Sequence, residues 1–68
     1  MRTITREYAN PNNGGRERVT RDGETFVVSS DWGYWFCRGQ QVSRGQAETC
    51  MNYTGAPKEV VAAILAAA

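Results

Sequence analysis

Seven carboxylates, seven arginines, two cysteines and no histidine are the groups from which this 68-residue chain could build chemistry. General acid–base catalysis draws on His, or on carboxylates held in a pocket. Glu7, Glu17, Asp22, Glu24, Asp31, Glu48 and Glu59 fall in turns, on polar strands or in the first turns of helices, and none has metal-site or glycosidase spacing. Ser29, Ser30 and Ser43 have no sequence-evident base. A reactive cysteine needs a neighbour that stabilises the thiolate. Arg38 follows Cys37, but adjacent residues of a strand point to opposite faces. A structural zinc site takes four ligands of the Cys/His type, and Cys37 and Cys50 form no CxxC. The chain therefore reads as a non-enzyme, with no metal and no cofactor expected. The two cysteines are open to one bridge or to two buried thiols. The expectation is free thiols, because no signal-peptide pattern points to an oxidising compartment.

Recognition chemistry remains, and it is concentrated in Thr25 to Gln41, TFVVSSDWGYWFCRGQQ. This stretch holds both tryptophans, both phenylalanines and one of the three tyrosines. Thr25 to Ser29 and Tyr34 to Arg38 are β-branched and aromatic runs suited to strands. Ser30-Asp31-Trp32-Gly33 between them suits a tight reversal. Pairing Ser29 with Tyr34 sets Val28 opposite Trp35 and Phe26 opposite Cys37. A three-residue loop would instead bring Phe36 beside Val28.

The elements around this stretch follow in order. Met1 to Ala9 alternates as a polar edge strand with Ile4 and Tyr8 on one side. Its partner, the second strand or the fourth, is left open. Asn10 to Gly15 is made of breaker residues and reads as a mobile loop. Its Gly-Gly pair lacks the Gly-Lys-Ser/Thr and the following helix of a phosphate loop. Arg16 to Thr20 is the second strand, and Asp22-Gly23 predicts a type I′ turn. That turn places Arg21 beside Glu24, Val19 opposite Phe26 and Arg18 opposite Val27. One face then carries Val19, Phe26, Val28, Trp35 and Cys37. The other carries Arg18, Thr20, Thr25, Val27, Tyr34, Phe36 and Arg38.

Gly39 to Val42 leads out of the sheet. Ser43 and Gln46 match a capping box, which opens a helix from Arg44 to about Thr54, with Ala47, Cys50, Met51 and Thr54 on one face. Gly55 suits the helix stop and Pro57 the start of a second helix. Val61, Ile64, Leu65 and Ala68 form the buried stripe of that helix. A DNA-binding helix-turn-helix is disfavoured, because Lys58 is the only basic residue of the second helix. The expected fold is α+β: a small antiparallel meander of three to four strands, then two short helices packed on one face, all in one domain spanning residues 1–68.

A core of this size supplies only about 3–5 kcal/mol, so help from a bridge or a partner is expected. Net charge is +1, which gives no strong field toward nucleic acid or membrane. The longest apolar run, Val60 to Ala68, is too short to span a bilayer, and the chain reads as cytoplasmic. The function expected is protein binding through Tyr34, Phe36, Arg38, Arg18, Trp32 and Val27, since Tyr, Trp and Arg dominate interface hot spots. The partner is another protein or a protein–nucleic acid complex. Small size and the lack of catalytic groups suggest an inhibitor that obstructs a larger host complex, as phage-encoded anti-CRISPR proteins do. The alternative from another class is a single-stranded nucleic-acid platform, with bases stacked on the aromatics and phosphates met by Arg. A homodimer through the alanine-rich helices is a further assembly the sequence allows. A third reading has the first strand or the Asn-Pro loop fold across the aromatic face and close it.

Overall fold

The computed structural model describes residues 3–12, 14–30 and 37–67. Four strands form one antiparallel sheet in the order β1-β2-β3-β4. They are β1 Thr3–Ala9, β2 Arg16–Asp22, β3 Thr25–Ser29 and β4 Arg38–Val42. Two helices follow, α1 Arg44–Tyr53 and α2 Lys58–Ala66. Helix α1 packs against β3 and α2, and α2 packs against β1 and β2. This is the expected meander with both helices on one face. The first strand pairs with the second, Glu7 opposite Arg18 and Tyr8 opposite Glu17.

Residue period explains which side the helices cover. Val19, Phe26 and Val28 project to one side of the sheet and are buried with Tyr8, Val42, Met51 and Ile64. Burying a side chain such as Phe26 is worth about 1.5–3 kcal/mol. The face assignment matches the alternation in the sequence, but the register does not. Asp22 pairs with Thr25 and Val19 with Val28, so the turn is Gly23-Glu24 rather than Asp22-Gly23. Gly23 has φ 63° and no residue other than glycine has positive φ among the described residues. A positive φ confined to the first central position excludes type I′ and matches type II′. A slip of two residues in the pairing keeps every side chain on its face.

The fourth strand is a larger correction. Gly39 to Val42, expected to leave the sheet, is most of β4. Phe26 pairs with Val42, not Cys37, and Val28 pairs with Gln40, which excludes both expected partners, Trp35 and Phe36. Of the expected reversal Ser30-Asp31-Trp32-Gly33 only Ser30 is among the described residues, and Ser29 pairs with Arg38 rather than with Tyr34. The register shifts between Val28 and Ser29, and Gly39, with φ 85°, is the extra residue. Such a bulge inserts one residue into one strand of a pair. Arg38 and Val42 are four apart and would share a face on a regular strand. The bulge sends Arg38 to the side of Ser29 and Val42 into the core.

Helix α1 starts on a complete capping box. Gln46 N–H donates to the Ser43 hydroxyl, and Ser43 N–H donates to Gln46 Oε1 at 3.1 Å. It ends as Gly55 predicts. Gly55 has φ 81°, its N–H donates to the Asn52 carbonyl at 3.4 Å, and Ala56 N–H donates to Met51 at 2.9 Å. This double bond to the last turn is a Schellman motif. Pro57 precedes α2 and its carbonyl accepts from Val60 and Val61.

In the loop expected to be mobile, Asn10, Pro11 and Asn12 make defined contacts. Asn10 is fully buried. Its side-chain amide donates to Glu17 Oε2 at 2.8 Å, and its Oδ1 accepts from Asn12 N–H at 2.8 Å. Pro11 lies so close to Gly55 that a Cβ there would sit 2.6 Å from Pro11 Cδ. Nearby, the Thr54 hydroxyl donates to the Cys50 carbonyl at 2.7 Å, which leaves its oxygen to accept from the buried Tyr8 hydroxyl. Burial pushes the Tyr8 phenol above its ordinary value.

The cysteines are joined, contrary to the expectation of free thiols. Cys37 and Cys50 form a disulfide with Cα atoms 5.9 Å apart, and both residues are fully buried. Closing a chain loop of this length is worth about 3 kcal/mol in the chain-entropy account. That is comparable with the whole of what a small core supplies. The bond ties the entry of β4 to the middle of α1.

Arg21 also departs from expectation. The expected contact with Glu24 exists, at 2.9 Å. Yet the residue is only 6% exposed. Its Nη1 donates to the Ile64 carbonyl at 3.0 Å and to Leu65 at 2.9 Å, and its Nε donates to Gly23 at 2.7 Å. The guanidinium also lies over the Phe26 ring, 4.8 Å from its centre. The last carbonyls of a helix lack partners and carry negative partial charge. Arg21 supplies both the donors and the charge, and Arg44 adds a bond to Leu65 at 2.8 Å. Arg21→Met keeps the apolar stem and removes the donors. It is expected to cost about 2–4 kcal/mol, since hydrogen bonds to charged groups are worth about 1.5–3 kcal/mol each. Arg21→Lys should recover less than half, because one ammonium lacks the planar fork. Denaturant midpoints measure both, and a Met variant as stable as the parent would refute the clamp.

Candidate functional site

With both helices on one side, the other side of the sheet is left uncovered by the described elements. Register defines its rows. Glu7, Arg18, Ser29 and Arg38 stand opposite one another across the four strands. Thr5, Thr20, Val27 and Gln41 form the next row. Thr3, Asp22 and Thr25 form a third, and Ala9 and Arg16 lie at the other end. The side chains of Thr5 and Thr20 touch through their hydroxyls at 3.2 Å.

Three of the six residues expected to bind a partner are described, and all three share this face. Arg18 and Arg38 are exposed and flank Ser29, while Val27 is half-buried in the next row. Tyr34, Phe36 and Trp32 lie outside the described residues. Neither segment proposed to close the face does so: β1 is in the sheet, and the Asn-Pro loop is docked against Gly55. The helix pair is not a free helix-turn-helix either, since both helices pack on the sheet.

Glu7 and Ser29 share the row of Arg18 and Arg38 and are not among the residues expected from the sequence. Glu7 accepts from Arg18 at 3.0 Å and from Arg16 at 3.4 Å. The signal was present in the opposite charges of TITREYA and RERVT, but it required the first strand to be placed beside the second. The Arg18 guanidinium, hydrogen-bonded to Glu7, holds its carboxyl below the ordinary value of 4.5, with Arg16 adding to the effect. Arg38 has no ion-pair partner among the described residues. Among the same residues, no group of three or more His, Cys, Asp or Glu could hold a metal ion.

Comparison with known protein families, with curated proteins and with solved structures gives no match.

The Glu7 carboxyl has a lowered pKa in the folded state. The stability it contributes is therefore present above its unfolded value and is lost as pH falls through the folded one. An NMR titration should place its midpoint below that of an unpaired glutamate. Arg18→Gln should raise the midpoint more than Arg16→Gln. Three identical titrations at the ordinary value would show that the cross-strand pairs do not form.

Proposed function

We propose that this protein is a non-enzymatic binding module that docks on a protein partner through the uncovered face of its sheet. The observation that carries this reading is the division of labour between the two faces. Both helices, the disulfide and the Arg21 clamp serve one side. The other side presents Arg18, Arg38 and Val27 on a backbone held by four paired strands, so little conformational entropy is lost when a partner docks. Trp32, Tyr34 and Phe36 would add the aromatic anchors that interfaces favour. Without catalytic groups of its own, such a module acts by occupying a surface, which is how an inhibitor of a larger complex works.

No helix among the described residues is long and apolar enough to cross a membrane. A cytoplasmic setting asks the disulfide to survive a thiol pool. Both cysteines are fully buried, and an attacking thiolate needs access to a sulfur.

Val27→Asp places a charge at the centre of the open face. Glu59→Lys changes an exposed position at the start of α2. Immobilised wild type and both variants are compared for the protein each retains from cell extract, after near-UV circular dichroism has shown all three folded. A protein retained by wild type and Glu59→Lys but lost by Val27→Asp is the expected result. Equal retention by all three would place the docking surface elsewhere.

A further inference from the structure

We propose that Arg18, Ser29 and Arg38 form an anion seat on the open face, and that its occupant is a short carboxylate-rich segment of the protein partner. The inference rests on the docking reading above and names the chemistry of what docks.

The seat follows from register. Arg18 pairs with Ser29 on one side and Arg38 pairs with Ser29 on the other. Neighbouring strands lie about 4.8 Å apart, so the two arginine backbones stand roughly 10 Å apart with a hydroxyl between them. Directly opposite residues share a face, so both guanidiniums rise on the same side as Ser29. The Gly39 bulge is what puts Arg38 there. On a regular strand paired through Val42 and Phe26, Arg38 would fall on the helix side.

The charge is unbalanced in favour of an anion. Arg16 and Arg18 share the one carboxylate of Glu7, and Arg38 adds a third cation to the same end of the face. Among the described residues, three guanidiniums against one carboxylate leave a surplus of positive charge on this end of the face. The side chains of Arg16 and Arg18 remain 65% and 62% exposed in spite of the pair with Glu7. A guanidinium meets a carboxylate through two parallel N–H bonds, and a serine hydroxyl adds a donor between them.

A nucleic acid is the less fitting occupant. Its affinity comes from many phosphates neutralised along a track. Here the positive stretch ends after the two rows that hold Arg16, Arg18 and Arg38: the next row is uncharged, and the opposite end of the face carries Asp22 between Thr3 and Thr25. The chain as a whole has a net charge of only +1. A short acidic peptide needs the one seat and no track.

The probe is a fluorescein-labelled hexaglutamate peptide, titrated by anisotropy with the full chain at about 50 and 200 mM salt. An oligothymidylate of similar charge is titrated alongside. Hexaglutamate is expected to bind at the lower salt and more weakly at the higher. Arg18→Gln with Arg38→Gln should weaken it roughly three- to thirty-fold, as expected for losing two exposed pairs. Arg38→Gln alone, which breaks no ion pair among the described residues, should give part of that loss. Arg6→Gln, on the strand side shared by Ile4 and Tyr8, should leave binding unchanged. No hexaglutamate binding at the lower salt overturns the proposal. So does binding that the double variant does not weaken. Tighter binding of oligothymidylate, lost in the double variant, overturns it in favour of nucleic acid. If hexaglutamate fails while Val27→Asp still loses its retained protein, only the acidic occupant falls. If Val27→Asp retains it as well, the docking face falls too.

Discussion

Arg21 stands at the turn end of β2, an inner strand of the sheet, with its charge enclosed by the Phe26 ring, the Glu24 carboxylate and the last carbonyls of α2. A guanidinium is rarely buried unless its donors are used. Here they are used on the end of α2, where Arg44 adds a second donor to the Leu65 carbonyl. The consequence reaches beyond one cap. The clamp ties the C-terminal end of α2 to the side of the sheet that also carries Val19, Phe26 and Val28. With α1 held to the entry of β4 by Cys37–Cys50, both helices are committed to that side. The other side keeps the row Glu7, Arg18, Ser29 and Arg38 because nothing described is left to cover it.

Two small backbone devices decide what that row contains. The Gly23-Glu24 turn sets Arg18 opposite Ser29, and the Gly39 bulge sets Arg38 opposite the same serine. Each relies on a glycine with positive φ, 63° and 85°, where a Cβ is strained. Without the bulge, Arg38 and Val42 would compete for one face, a charge and a core residue on the same side. The bulge resolves that conflict, and it is also what gives the open face its third arginine.

Much of this was legible from residue order alone. Period two along β2 and β3 gave the faces of their residues correctly even though the pairing of those two strands was off by two, since such a slip preserves parity. The capping box at Ser43, the helical spacing of Ala47, Cys50 and Met51, and Gly55 at the helix stop each carry a local physical signal. The fourth strand did not. Gly39-Gln40-Gln41 has weak strand preference, and it becomes a strand because Val42 is needed in the core and Cys37 is tied to α1. The disulfide was illegible for the same reason: thirteen residues of separation say nothing until β4 is placed. Arg21 was read as part of a polar turn because its partners, Ile64 and Leu65, are more than forty positions away. Of the described residues on the open face, Arg18, Arg38 and Val27 were recoverable from alternation, whereas the place of Glu7 and Ser29 beside them needed the cross-strand register.

The central claim is that one face of the sheet is filled and the other is open. It is tested most directly by adding a neutral soluble paramagnetic probe and measuring side-chain proton relaxation residue by residue. The account predicts strong enhancement at Thr5, Ser29 and Gln41, with Val19 and Val28 methyl groups left nearly untouched. If Thr5 and Gln41 were as protected as Val28, the open face would be covered in solution, and the docking surface derived from it would not exist.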